Sequence, residues 1–337
     1  MGKTTKKNEF DGSLLFGVKD FNKKTSRDDH IDEATSLQTD FFIDPATSEL
    51  YEHMQENRSC PICENHLRSL VFKKDGFRHV KCNQCHFIYV NPTANDEYRD
   101  QFFSKKYESW TEVLLVPEQE RVDKLKFIYG LDLIENNVEE KKKIVDIGAG
   151  SGLFLETARE KNWDVSGVEF NQKAVESIRS KDIEVFDQPL EDGIYEENSV
   201  QVVTLWEVLE HINHPSIFLK QVWNILDNSG LLLICVPNIN ALVTRLLHEK
   251  ARTFGGSSHV NFFSINTLTQ IVERLGFKVI ETDTMISELG TINNHLSYND
   301  HYSGPGNGEL DFLTPEFIYK HELGSRILLL AEKTRSI

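Results

Sequence analysis

The chain lacks any apolar run approaching the roughly 20 residues that a membrane-spanning helix needs. Its polar, lysine-bearing start does not read as a signal peptide. It also lacks an excess of basic charge: 37 Lys and Arg stand against 53 Asp and Glu, a formal net charge of −16. That balance disfavours a broad nucleic-acid-binding surface, though not a local basic patch. Cysteine is sparse, five in 337 residues, and four of the five fall in paired C-x-x-C spacing. Such usage points to a metal site in a reducing compartment rather than to disulfides, so a cytoplasmic protein is expected. The length allows one large domain with a full core plus something smaller.

What is present centres on one stretch, Lys143-Ile-Val-Asp-Ile-Gly-Ala-Gly-Ser-Gly-Leu-Phe-Leu. Ile144 to Ile147 is a short apolar run, expected as a buried parallel strand. Gly148, Gly150 and Gly152 then remove side chains from the turn, and from Leu153 to Lys161 the apolar positions return at helical spacing. Glycines at a strand-to-helix turn let a ligand lie against bare backbone, beside the amides of a helix N-terminus. The dinucleotide fingerprint is G-x-G-x-x-G, whereas this loop reads G-x-G-x-G with Asp146 just ahead of it. A carboxylate there suits a ligand bearing an ammonium or sulfonium better than a pyrophosphate. A nicotinamide enzyme is disfavoured on the same ground. About 20 residues on, the run Asp164-Val-Ser-Gly-Val-Glu169 ends in an acid able to hold both ribose hydroxyls.

D-x-G-x-G-x-G followed by that acid resembles the S-adenosylmethionine site of the class I methyltransferases. The resemblance implies a doubly wound, Rossmann-like α/β fold with a seven-stranded sheet whose last strand is antiparallel. The rest of the chain alternates accordingly. Strands are expected at 144–147, 164–169, 183–186, 200–206, 231–236, from Phe277, and at Ile327–Glu332. Helices are expected at Gln172–Ser180, Pro215–Leu226 and Leu268–Leu275. In this family a residue at the end of the third strand contacts the adenine, which makes Asp187 or Gln188 the candidate, with Trp206 at the end of the fourth strand a further cofactor neighbour. Cys235, in mid-strand, is expected as a buried small hydrophobe.

Ahead of that domain stand Cys60-Pro-Ile-Cys63 and Cys82-Asn-Gln-Cys85, two knuckles at the separation of a zinc ribbon. Four thiolates fit a closed, structural Zn2+ site. Many knuckles place Gly after the second Cys, but Glu64 and His86 stand there, which leaves the turn open and His86 as a competing ligand. The ribbon has too few apolar residues for its own core, so metal is expected to hold it folded. The organisation is therefore a variable, partly disordered segment 1–55, a ribbon 56–95, a helical cap 96–140, and the large domain 141–337. In the cap, Pro117 to Tyr129 has helical periodicity, and Tyr107 and Trp110 are candidates for core packing or an acceptor pocket. Within the large domain, 287–322 is rich in Asn, Gly and His without periodicity, expected as a functional lid or a disordered insert.

A second constellation follows the fourth strand: Trp206-Glu-Val-Leu-Glu-His-Ile-Asn-His-Pro215. It resembles the E-x-x-E-H segment of the ubiquinone-biosynthesis O-methyltransferases and the small-RNA 2′-O-methyltransferases, and Val236-Pro-Asn238 and His259-Val-Asn-Phe-Phe-Ser264 fit the same group. If the turn is helical, Glu207, Glu210 and His211 share a face, at the carboxyl end of a central strand where open α/β sheets bind ligands. With His259 as a fourth ligand they could hold Mg2+ or another divalent cation that activates an acceptor hydroxyl. Without metal, His211 or His259 could act as general base, and a purely structural role stays open. The expected activity is an S-adenosylmethionine-dependent methyl transfer to the oxygen of a small hydroxylated metabolite, sugar or glycan. An RNA 2′-O-methyltransferase and a non-catalytic cofactor-binding module are the alternatives. The sugar C-methyltransferases, which carry a large extra C-terminal domain, fit less well. Oligomeric state is left open.

Overall fold

The structure, a computed structural model, describes residues 27–103, 116–190, 193–297 and 313–334, together with Lys7, Lys23 and Lys24. Tyr107, Trp110 and residues 298–312 of the expected insert lie outside the described residues.

In chain order, helix α1 (Arg27–Phe42) precedes strands β1 (Arg68–Lys74), β2 (Phe77–Cys82) and β3 (Ile88–Val90). Helix α2 (Pro117–Glu135) leads into β4 (Lys143–Ile147), α3 (Leu153–Glu160), β5 (Asp164–Val168), α4 (Gln172–Ser180) and β6 (Glu184–Phe186). Then come β7 (Val200–Trp206), α5 (Pro215–Ile225), β8 (Leu226–Pro237), β9 (Asn261–Phe262), α6 (Ile265–Arg274), β10 (Phe277–Met285) and β11 (Arg326–Lys333). Seven of these strands form one sheet in the order β6-β5-β4-β7-β8-β11-β10. Strands β4 to β8 run parallel, while β11 lies antiparallel to both neighbours, with Leu233 opposite Leu330 and Thr284 opposite Ile327. The strand order reverses between β4 and β7, so their carboxyl ends flank the crevice where such sheets take ligands.

The apolar runs explain the sheet. Ile144, Val145, Val202, Val203, Leu232, Leu233 and Leu329 are all fully buried, as expected for strands covered by helices on both faces. Helix boundaries follow capping chemistry. Asn171 caps α4 by accepting from the Ala174 amide at 3.0 Å. Ser264 and Thr267 form a reciprocal capping box, which starts α6 at Ile265, three residues ahead of the expected Leu268. Strand β8 is longer than its apolar run, because Leu226 already pairs with Val200 before a register shift.

The ribbon is not a separate globule. Its sheet has the order β9-β3-β2-β1, and β9 comes from the large domain, with Asn261 opposite Tyr89 and Phe262 opposite Ile88. Ile62, Val80, Phe87 and Tyr89 of the ribbon share one buried cluster with Leu219, Leu268 and Phe263. Residues 27–55, within the segment expected to be variable, are folded. Helix α1 ends on Phe42, which is fully buried against Phe77 and Phe102. Part of the expected insert is folded too: a helix at Leu289–Ser297 buries Leu289 and Ile292.

Candidate active site

Close neighbours make the glycine loop tight. Gly148, Gly150 and Gly152 have φ of 77, 53 and 81°, the left-handed region that favours glycine. A Cβ on Gly148 would stand 2.6 Å from Val208 Cγ2, and one on Gly152 2.8 Å from Ile178 Cγ1. The loop therefore has to be bare, and through Val208 it rests on the segment that follows β7. Glu169, at the end of β5, folds back over it. One carboxylate oxygen accepts from the Gly150 amide at 2.8 Å, the other from the Phe170 and Asn171 amides at 2.8 and 2.9 Å. Burial raises the Glu169 pKa while these three amides pull it down. A carboxylate has about four acceptor positions, so capacity remains for a ribose hydroxyl. Asp146 is 2% exposed and accepts from Thr204 Oγ1 at 2.7 Å. Burial pushes its pKa well up, the Glu169 charge adds to this, and the Thr204 bond offsets part. A dry acid of this kind gains most from a cationic neighbour.

Asp187 stands exposed at the end of β6, 3.5 Å from Gln172 Nε2 and 3.8 Å from Arg179, and Gln188 beside it is exposed as well. Trp206 packs edge-on against Phe127 with ring centres 4.9 Å apart, and against Phe154 at 5.7 Å. Its indole nitrogen is buried without a hydrogen-bond partner among the described residues.

The E-x-x-E-H segment is not one helical face. Glu207 takes a left-handed φ of 56°, and only Leu209–His211 forms a turn, of 3-10 type. Glu207 is thereby turned onto the edge of the sheet, where Arg326 Nε donates to its carboxylate at 2.6 Å. Glu210, His211 and His259 do come together, with their ligand atoms within 4.8 Å of one another. The two imidazoles are 4.9 Å apart. His211 Nδ1 lies 2.9 Å from the Ser258 carbonyl, and His259 Nδ1 2.9 Å from the Thr253 carbonyl. A carbonyl only accepts, so each Nδ1 carries a proton, which leaves Nε2 as the nitrogen through which a neutral ring would bind a metal. That is the tautomer of a metal-binding imidazole with a backbone carbonyl behind it. Glu210 is 1% exposed, and neither carboxylate oxygen has a hydrogen-bond partner among the described residues. Burial, and then the nearby Glu207 charge, raise its pKa well above the usual range. A bare carboxyl facing two imidazole lone pairs fits a divalent cation. Two nitrogens and one carboxylate suit a transition ion better than Mg2+, which prefers an all-oxygen shell.

At the other end of the ribbon core, Cys60, Cys63, Cys82 and Cys85 form a closed cluster. Cys60 and Cys85 sulfurs are 3.4 Å apart, and those of Cys63 and Cys82 are 3.5 Å apart. Tetrahedral zinc with Zn–S near 2.3 Å asks for about 3.8 Å, so the thiolates fit. Glu64 and His86 both adopt φ of 61°, supplying without glycine the turn that glycine usually makes. His86 is exposed and outside the cluster. The Cys82 thiol, raised by burial, is brought down to about 7 chiefly by the Cys85 and Gln84 amides, the amide pattern of a metal knuckle.

Sequence reasoning missed Thr204, Arg326, Arg58 and Arg99. A lone threonine inside the apolar run 202–205 was a usable signal for the first, but the arginines have only long-range partners.

With this geometry in place, the comparisons are informative. Residues 121–282 match the family model of a methyltransferase domain. The chain carries a methyltransferase domain over these residues. An uncharacterised protein of Methanocaldococcus jannaschii is 22% identical over 153 residues, covering 45% of this chain and 73% of that protein. Among solved structures, the cyclase SpnF superposes with a TM-score of 0.50 at 14% identity, covering 72% of this chain and 98% of that one. A methyltransferase from Haloferax volcanii, solved with its activator Trm112, gives a TM-score of 0.49 at 14% identity, covering 69% and 98%. The SpnF likeness is one of fold alone. No helix of the described residues is long and apolar enough to cross a membrane.

Proposed function

We propose that the protein transfers a methyl group from S-adenosylmethionine to a hydroxyl oxygen of a small hydroxylated metabolite or glycan. The observation that carries the reading is the triad of buried Glu210 with half-buried His211 and His259. Glu210 and His211 stand on the segment that leaves β7 and packs, through Val208, on the glycine loop, and His259 joins them from the loop ahead of β9.

When bound, the cofactor supplies an electrophilic methyl on a sulfonium. Asp146, in its dry niche, attracts the cationic end. The bare backbone at Gly148, Gly150 and Gly152 admits the ligand, and Glu169 holds its ribose, with Asp187 and Gln188 at the adenine side. His211 and His259 present Nε2 lone pairs able to take the acceptor proton near neutral pH. A divalent cation on the triad would instead lower the hydroxyl pKa and orient it. Glu207 acts one step back: it is anchored by Arg326, and its charge adds to burial in raising the Glu210 pKa. Most of the rate enhancement comes from alignment, since in-line displacement needs little else. In the ribbon, Cys60, Cys63, Cys82 and Cys85 hold a structural zinc.

The test pairs binding with partition of product. Calorimetry with S-adenosylhomocysteine should show one site per chain. Radiolabelled cofactor incubated with cell extract should label the small-molecule or glycan fraction. Label confined to RNA would replace the acceptor reading by the 2′-O one, and loss of label on raising salt would support that replacement. Full activity of both Glu210→Ala and His259→Ala would sink the role of the triad.

A further inference from the structure

Two buried cations, one in the ribbon and one just past it, hold the triad's supporting backbone. Arg58, two residues before Cys60, is 7% exposed, and Arg99, just past the ribbon, is 5% exposed. Among the described residues no carboxylate lies at ion-pair distance from either guanidinium, although the charge of Glu56 acts on Arg58 and those of Asp96, Asp100 and Glu56 act on Arg99. Arg58 donates to the Asn213 carbonyl at 2.6 Å, to Val260 at 2.7 Å, and to Val90 at 3.3 Å through both Nε and Nη2. Arg99 donates to the Asn213 side-chain oxygen, to the His211 carbonyl, and to Ser258 at 3.3 Å. The Ser258 carbonyl is the one that also receives the His211 Nδ1 proton.

Apart from Val90 on β3, these acceptors lie on two segments, 211–213 and 258–260, which carry His211 and His259. The segments are tied to each other where the Val260 amide donates to the Glu210 carbonyl at 2.9 Å. Asn261 Nδ2 also reaches the Ile212 carbonyl at 2.7 Å. Two residues past His259, β9 joins the ribbon sheet as its fourth strand. The knuckle itself is fixed to the large domain: Ser216 Oγ donates to the Pro61 carbonyl at 2.9 Å, and Arg274 to the Ile62 carbonyl at 2.6 Å.

Burying a cation against neutral carbonyls is expensive. A guanidinium does, however, hold several acceptors in one fixed fork, where a lysine holds them loosely. We propose that Arg58 and Arg99 are positioning residues, through which the zinc-held ribbon sets the spacing of Glu210, His211 and His259. The ribbon then works as a built-in activator: loss of zinc loosens the triad while the cofactor cradle on β4 and β5 stays intact. This rests on the triad reading above.

The experiment uses the full zinc-loaded chain with Arg58→Met and Arg99→Met, which keep most of the side-chain volume. Amide hydrogen exchange over 209–213 and 258–261 should rise at least about tenfold, the loss of a charged hydrogen bond. Exchange over 144–169 and the affinity for S-adenosylhomocysteine should hold within about twofold, with zinc still near one per chain. Calorimetric Mn2+ binding at the triad should weaken about tenfold or more, with partial recovery in Arg58→Lys. Wild-type exchange at 209–213 and 258–261 in both Met variants would overturn the proposal. Should either variant fail to fold, chelation of zinc from the wild-type chain makes the same test. Release confined to those segments supports positioning, and uniform release that includes β4 to β8 overturns it. A wild-type chain that binds no Mn2+ sinks the cation reading alone, since the exchange arm still decides the positioning role.

Discussion

Asp146→Asn separates cofactor recognition from fold stability, and the structure fixes the sign of both effects. The carboxyl is 2% exposed with one hydrogen bond, from Thr204, and burial lifts its pKa well above the ordinary 3.8. A folded pKa above the unfolded one means stability is lost as pH rises from about 4 through the folded value. Cofactor-free Asp146→Asn should therefore melt higher than wild type near neutral pH, with the gap closing towards pH 4. Binding runs the other way. A unit positive charge about 5 Å from the carboxylate is worth about 3 kcal/mol at an effective dielectric of 20. The asparagine oxygen keeps part of the dipolar attraction, so a ten- to hundredfold loss of affinity is a reasonable magnitude. Because burial makes the free acid hold its proton, cofactor binding should release protons and tighten as pH rises towards the raised folded value. Calorimetry of S-adenosylmethionine in two buffers of different ionisation enthalpy reads both affinity and proton release. A variant that binds within about threefold of wild type, with proton-neutral binding in both proteins, would refute the reasoning.

Gly148→Ala places a methyl 2.6 Å from Val208 at a φ of 77°, so it should cost about 2 to 5 kcal/mol in urea unfolding and abolish cofactor binding. Glu210→Ala should leave S-adenosylhomocysteine affinity within about threefold while removing the thermal shift that Mn2+ gives the wild type; an unchanged Mn2+ shift would place the cation elsewhere. Cys82→Ser should drop zinc from near one per chain, measured by elemental analysis, and retention of zinc with the wild-type melting curve would reject the ribbon site. His79 is fully buried among Phe72, Phe254 and Phe262, with neither ring nitrogen at hydrogen-bond geometry to a partner among the described residues, and burial, aided by Lys74 and opposed in part by the Phe77 backbone, lowers its pKa to about 3. Its folded pKa lies below the unfolded 6.5, so stability is lost as pH falls below that value. Against His79→Phe, wild type should lose about 2 to 3 kcal/mol between pH 7 and 4.5 in urea titrations, and parallel pH profiles would dismiss the assignment.

The elements that could be read from the sequence are those decided by near neighbours in the chain. Ile144, Val145 and Ile147, like Leu231 to Val236, announce buried strands because each of these residues must be apolar, whatever lies opposite. The glycines of 148–152 announce a bare turn because no other residue adopts that backbone cheaply. The triad was half legible. E-x-x-E-H has helical spacing, but spacing does not say whether the first glutamate is in the helix. What removes Glu207 from that face is Arg326, 119 residues later, on a strand whose register depends on the whole sheet. Likewise β9 is two residues long and carries no periodic signal, yet it closes the ribbon sheet and sets where His259 stands. Once a buried charge has to choose a partner, its own segment no longer determines its direction. Arg58 and Arg99 make the same point: their acceptors are backbone carbonyls, which every residue possesses, so no residue type marks them. The sequence can therefore name the groups that perform the chemistry, whereas the groups that aim them emerge only when the buried hydrogen bonds are followed donor by donor.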